Sequence, residues 1–82
     1  MFSFTIYHLL EKPEDFEVNE VSFISEKGEQ VILSQHEPLF TNVLPNKIAL
    51  KIADDKNTII QIPVDTGGIL TINEQNCKVW LF

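Results

Sequence analysis

Apolar and polar residues alternate with a period of two at several places along the chain. This pattern lays one row of side chains against a core and turns the other to water. Phe2, Phe4 and Ile6 alternate with Ser3, Thr5 and Tyr7, which predicts a strand at the very start. Ile48, Leu50 and Ile52 alternate with Lys47, Ala49 and Lys51, and Ile60, Ile62 and Val64 resume the pattern beyond the polar stretch Asp54-Asp55-Lys56-Asn57. Two amphipathic strands around such a stretch predict a β-hairpin. Shorter strands are predicted at 21–25, 30–33 and 39–43, divided by Lys27-Gly28, by Ser34-Gln35-His36-Glu37-Pro38 and by Pro45-Asn46. The closing strands are predicted at 69–72 and 78–82, with Asn73-Glu74-Gln75-Asn76 as their turn.

Two places break the pattern. Gly67-Gly68 has no polar loop around it, so it predicts a bend or bulge in a nearly continuous sheet path. Residues 8–15 are the one helical candidate, since Leu9-Leu10-Glu11-Lys12 has fair propensity, yet Pro13 would break a helix in mid-course. That piece therefore reads as a loop. Many short strands with turns every eight to twelve residues predict an all-β fold, a two-sheet antiparallel β-sandwich or flattened barrel. It would form a single domain over residues 1–82, without repeat, linker or low-complexity tract.

Composition narrows the function. A chain of 82 residues holds one domain. Alanine, the best helix former, occurs only twice against ten isoleucines, which again favours strands. Every cation is a lysine, and six of them against twelve Asp and Glu give a net charge of −6. Phosphate contacts dominate nucleic-acid binding and Arg is the usual reader of guanine edges, so this balance argues against a nucleic-acid partner. No apolar run approaches the roughly 18 residues of a membrane span, and the alternating N-terminus lacks the basic start of a signal peptide. A lone cysteine, Cys77, forms no internal disulfide, which fits a reducing cytosolic setting.

Candidate chemistry is sparse. His8 and His36 are far apart in sequence, and His36-Glu37-Pro38 lacks the second histidine of a helical zinc motif. Glu11, Glu14, Asp15 and Glu17 read as a solvated acidic loop, because a catalytic carboxylate pair needs burial to split its two pKa values. Cys77 has only Lys78 as a cationic neighbour and reads as a small core side chain. No glycine-rich phosphate cradle is present. The expectation is no catalytic residue, no cofactor or ATP site and no metal ligand, in a small acidic sandwich that works by contact with other proteins.

The central segment Gly28-Glu29-Gln30-Val31-Ile32-Leu33-Ser34-Gln35-His36-Glu37-Pro38-Leu39-Phe40-Thr41 resembles a stretch of the epsilon subunit of bacterial F-type ATP synthases, whose pattern runs roughly GELGIYPGHAPLLT. Gly28, Glu29, Ile32, His36, Pro38, Leu39 and Thr41 match, and Pro45 follows at the expected distance. Thr66-Gly67-Gly68-Ile69-Leu70-Thr71-Ile72 resembles the family's SGGILEV, and Tyr7-His8-Leu9 is a third match. Val31, Ser34, Gln35 and Asn46 depart, standing where the family usually has Gly, Pro, Gly and Gly; fewer glycines limit positive φ around Ser34-Gln35.

The resemblance implies the N-terminal β-sandwich of a non-catalytic rotor subunit at the foot of the central stalk, clasped to the gamma subunit, resting on the c-subunit ring and coupling proton flow to ATP synthesis. Its place would be peripheral, at the cytoplasmic face of the bacterial inner membrane. By residue, it implies that Gly28 and Glu29 face the c ring and that His36, Glu37, Pro38 and Leu39 lie at the gamma contact. Family members usually continue into a C-terminal pair of helices, whereas this sequence stops at Phe82, so neither helix-borne inhibition of hydrolysis nor ATP binding is expected of it. A free-standing β-sandwich adaptor on the same scaffold is the alternative reading, since a fold does not fix a function.

Overall fold

The computed structural model describes residues 1–34 and 37–82, and the described chain is built of strands and their connections. In order they are β1 (Phe2–Tyr7), β2 (Glu14–Ser25), β3 (Gly28–Leu33), β4 (Leu39–Val43), β5 (Asn46–Ile52), β6 (Ile59–Val64), β7 (Gly68–Asn73) and β8 (Asn76–Leu81). Hydrogen bonding joins them in the order β4-β7-β8-β1-β2-β5-β6, with β3 pairing β2 off that path.

This order requires a sandwich. β6 and β7 stand five places apart along the sheet, about 24 Å if it were flat. Yet only residues 65–67 join them, a connection that reaches at most about 14 Å from Val64 to Gly68. β4 and β5 are equally far apart along the sheet and are joined by Leu44 and Pro45 alone. Both connections close only if the sheet folds over, laying the β4-β7-β8-β1 part on the β3-β2-β5-β6 part. The Leu44 amide donates to the Ile24 carbonyl at 2.8 Å, which seams the two layers at that edge.

β2 is the strand that both layers share. Val18 pairs with Phe2 on one side and with Ile52 on the other, while 20–22 pair with β3 and β5. A register shift between Val18 and Glu20 marks a bulge at Asn19, where the strand bends from one layer into the other. The bulge also flips the side-chain phase: Phe16 and Val18 point inward before it, and Val21, Phe23 and Ser25 after it. Sequence reading therefore found only the second half of β2 and assigned 14–17 to a loop. Those residues are strand, with Asp15 and Glu17 on the solvent side and Glu14 exposed at its start.

The core fills from both layers with Phe2, Phe4, Ile6, Val18, Val21, Phe23, Ile32, Val43, Ile48, Leu50, Val64, Leu70, Ile72, Cys77 and Val79. The β5–β6 hairpin forms as its alternation predicts, with Ile48 opposite Ile62 and Leu50 opposite Ile60. Its turn is organised by Asp54, whose Oδ1 accepts from the Lys56 and Thr58 amides at 3.2 and 3.0 Å and whose Oδ2 accepts from Thr58 Oγ1 at 2.6 Å. These bonds favour the carboxylate and hold Asp54 below its ordinary pKa. One pairing departs from the antiparallel rule: β1 and β8 run parallel, Tyr7 beside Trp80. They are the first and last strands, so no hairpin dictates their direction.

Gly67 and Gly68 end the connection between layers rather than bending one continuous strand. Gly67 has φ +93°, and a Cβ there would lie 3.0 Å from the Val43 carbonyl oxygen. Gly68 is buried under β8, where a Cβ would sit 2.4 Å from the Trp80 carbonyl oxygen. The Phe82 amide donates to the Gly67 carbonyl at 3.0 Å, and the Thr66 hydroxyl donates to the Phe82 carbonyl.

Candidate functional site

Gly28 and Glu29 open β3 immediately after the tight turn at Glu26-Lys27. Ser25 closes that turn: it pairs with Gly28, its buried Oγ accepts from the Lys27 amide at 3.2 Å and from Gln30 Nε2 at 2.8 Å, and it donates to the Gly28 carbonyl at 3.4 Å. Gly28 has φ +104°, a conformation that favours glycine, so the turn chemistry itself asks for this residue. Glu29 is exposed opposite Ile24 on the outer face and borders a hollow of about 150 Å³ with Asn46, Lys47 and Ala49.

The second group implied by the resemblance lies beyond the other end of β3. Glu37 and Pro38 are exposed before β4, and Leu39 begins that strand, partly buried and packed on the core. His36 lies outside the described residues. β3 runs about 17 Å from Gly28 to Leu33, so Gly28 and Glu29 stand at one end of that strand and the chain leaves its other end before Glu37, Pro38 and Leu39. Of the departures from the family pattern, Asn46 begins β5 without a positive φ, so no glycine is needed there.

Sequence reasoning missed an aromatic patch on the outer face of the β4-β7-β8-β1 layer. The Tyr7 and Trp80 rings stack with centroids 5.1 Å apart and planes at 8°. Ile69 flanks Trp80 in register, and Phe40, which is 74% exposed, stands further out on β4. Beside Phe40, Pro38, Leu39, Thr71 and Ile72 line an open hollow of about 340 Å³. The signal was available in the alternation, because Tyr7, Ile69 and Trp80 occupy positions that it assigns to water. Large apolar groups gathered on such a face mark contact surfaces.

Chemistry within the described residues is correspondingly thin. Cys77 is fully buried, and burial pushes its thiol up to about 12, so it is no nucleophile at neutral pH. His8 has Glu11 Oε2 3.9 Å from Nδ1 and Glu14 Oε1 3.5 Å from Nε2. One ligand atom from each of His8, Glu11 and Glu14 lies within 4.8 Å of the others, so these residues could meet at one cation, although both carboxylates are exposed and such acidic groups are common without an ion. No helix of the described chain is long and apolar enough to cross a membrane.

The family model described as "ATP synthase, Delta/Epsilon chain, beta-sandwich domain" matches residues 1–81. Among solved structures the chain is similar to one from the Tetrahymena thermophila mitochondrial ATP synthase, titled for its central stalk and c ring, with a TM-score of 0.79 at 14% identity, over 98% of this chain and 62% of that one. It is also similar to one from the Euglena gracilis mitochondrial ATP synthase, titled for OSCP, F1 and the c-ring in rotational state 1. There the TM-score is 0.80 at 18% identity, over 95% of this chain and 48% of that one. At such identities the likeness shows a shared fold, and the chain spans between about half and two thirds of those relatives. No curated protein matches.

Proposed function

Because the chain belongs to the ATP synthase Delta/Epsilon chain β-sandwich family, we propose that it is a non-catalytic rotor subunit of the central stalk of a proton-translocating F-type ATP synthase. The observation that carries this reading is the family match over 1–81, nearly the whole chain. In the assembly the sandwich bridges the gamma subunit and the c ring and transmits rotation between them. Gly28 and Glu29 meet the ring, while His36, Glu37, Pro38 and Leu39 meet gamma. The placement of Gly28 and Glu29 at the start of β3 and of Glu37, Pro38 and Leu39 after its far end supports the assignment, since one small body can then offer two contacts. The net charge of −6 suits docking on a ring whose exposed loops are basic, with charge acting on orientation and encounter more than on affinity.

The subunit sits peripherally on the cytoplasmic face of a bacterial inner membrane, held there through the complex. It contributes no catalytic group and binds no nucleotide; neighbouring subunits perform the chemistry. Glu29→Lys reverses one rim charge and is expected to weaken ATP-driven proton pumping in reconstituted vesicles, more at low salt than at moderate salt. Pumping that equals the parent's at low and at moderate salt alike removes Glu29 from the ring contact. Failure of the purified chain to bind its gamma subunit at micromolar concentration overturns the stalk reading itself.

A further inference from the structure

We propose that the free edge of β3 pairs with the same strand of a second copy of this chain, antiparallel about a two-fold axis at Val31. Among the described strands β3 is hydrogen-bonded to β2 alone. Ser25 and Gly28 close a two-residue turn, which makes them a hydrogen-bonded pair, and in an antiparallel ladder bonded and non-bonded pairs alternate. Gln30 and Ile32 therefore bond back to Phe23 and Val21, while Glu29, Val31 and Leu33 turn their N–H and C=O groups away from β2. The phase has an independent mark: the Ile24 carbonyl, opposite Glu29, accepts from the Leu44 amide rather than from β3. A row of donors and acceptors thus lies along an edge that no described strand covers.

That edge is complementary to itself. An antiparallel copy centred on Val31 sets Val31 against Val31, Glu29 against Leu33 and Leu33 against Glu29, so every outward residue of one strand meets an outward residue of the other. A register moved by two residues leaves Glu29 or Leu33 outside the ladder. No like charges stand opposed, because the two Glu29 carboxylates fall four residues apart along the strands, about 14 Å, beyond the screening length of about 8 Å at physiological salt. Val31 and Leu33, 46% and 55% exposed on the outer face, gain cover, and the β-branched pair at the axis adds cross-strand contact. The other open edges are blunted: β6 contains Pro63, which has no N–H, and β4 is five residues long directly behind Pro38. Pairing engages Glu29, which the stalk reading assigns to the ring contact, so it belongs to the free subunit and ends when that contact forms.

The test is sedimentation equilibrium of the full chain from about 10 µM to about 1 mM, a range that brackets the weak association of so small an interface. Monomer is expected at the lower end and dimer at the upper. About 0.5 M salt should increase the dimer, since screening weakens the repulsion between two chains of charge −6. The amide signals of Glu29, Val31 and Leu33 should move with concentration, and those of Gln30 and Ile32, bonded to β2, should move less. Val31→Lys sets two ammonium groups face to face and should weaken pairing at least about tenfold. Val31→Pro removes the N–H at the axis while sparing the bonds to β2; should it fail to fold, Val31→Lys decides, because that side chain already stands in solvent on the outer face. A chain that stays monomeric at about 1 mM, above the range set by the interface size, overturns the pairing. So does a dimer that keeps its strength in Val31→Lys, or one whose moving amides lie on another strand.

Discussion

Gly68→Ala is expected to destabilise the fold although it adds a single methyl group. Gly68 pairs with Leu81 across β7 and β8, and the added Cβ would lie 2.4 Å from the Trp80 carbonyl oxygen, 3.1 Å from Leu81 Cδ2 and 3.3 Å from Leu81 Cα. The leucine methyl can rotate away, but the carbonyl belongs to the backbone of a strand hydrogen-bonded on both edges, so β8 itself has to move. Overpacking of this kind costs about 1–3 kcal/mol. The smaller conformational freedom of alanine in the unfolded chain offsets about 0.4–1 kcal/mol. A net loss of about 1–2 kcal/mol is a large share of the roughly 3–5 kcal/mol that so small a core supplies. With a urea m-value near 1 kcal/mol/M, the midpoint should fall by about 1–2 M at unchanged m, followed by the fluorescence of Trp80. A midpoint within about 0.3 M of the parent, equivalent to roughly 0.3 kcal/mol on the same scale, would refute the close approach of β7 to β8.

Acid should loosen the β5–β6 turn: the Asp54 pKa is depressed by its Thr58 and Lys56 bonds, so its contribution is present above the ordinary carboxylate range and lost as pH falls through the lower folded value. Asp54→Asn should remove that acid dependence, read from the Thr58 amide signal between pH 5 and 2. Cys77 should resist a thiol reagent at pH 8 until the domain unfolds, because its side chain is fully buried and its thiol pushed up to about 12. The sign for stability is opposite to that of Asp54: the Cys77 contribution is complete below the ordinary thiol pKa and declines above it, as the unfolded chain ionises first. Denaturation midpoints measured from pH 8 to 10.5 should fall in the parent and fall less in Cys77→Ser.

What the sequence revealed depended on whether structure followed local period. The β5–β6 hairpin was legible because Ile48, Leu50, Ile60 and Ile62 keep one phase through both strands. β2 was half hidden because the bulge at Asn19 flips the phase and because its first turn of residues is acidic on the solvent side. The parallel pairing of β1 with β8 left no trace, since neither strand shares a turn with the other. For the candidate contacts, the Gly28 turn was readable from glycine chemistry and motif together. The Tyr7–Trp80 patch assembles from residues 73 positions apart and needed the sheet register to appear.

That same parallel pair governs when the molecule can exist at all. β8 is the only strand hydrogen-bonded both to β7 and to β1, so until it arrives the β4–β7 ladder has no strand-to-strand link to the rest of the sheet. On a chain emerging from the ribosome the β4–β7 ladder is therefore held to the other layer only at its edge, through the Leu44–Ile24 bond and the short connections, until β8 has cleared the exit tunnel. Closure then pairs β1 with β8, more than 70 residues apart in sequence, a connection of high contact order and correspondingly slow formation. The interval before it forms is when the nascent subunit most needs a chaperone or an assembly partner.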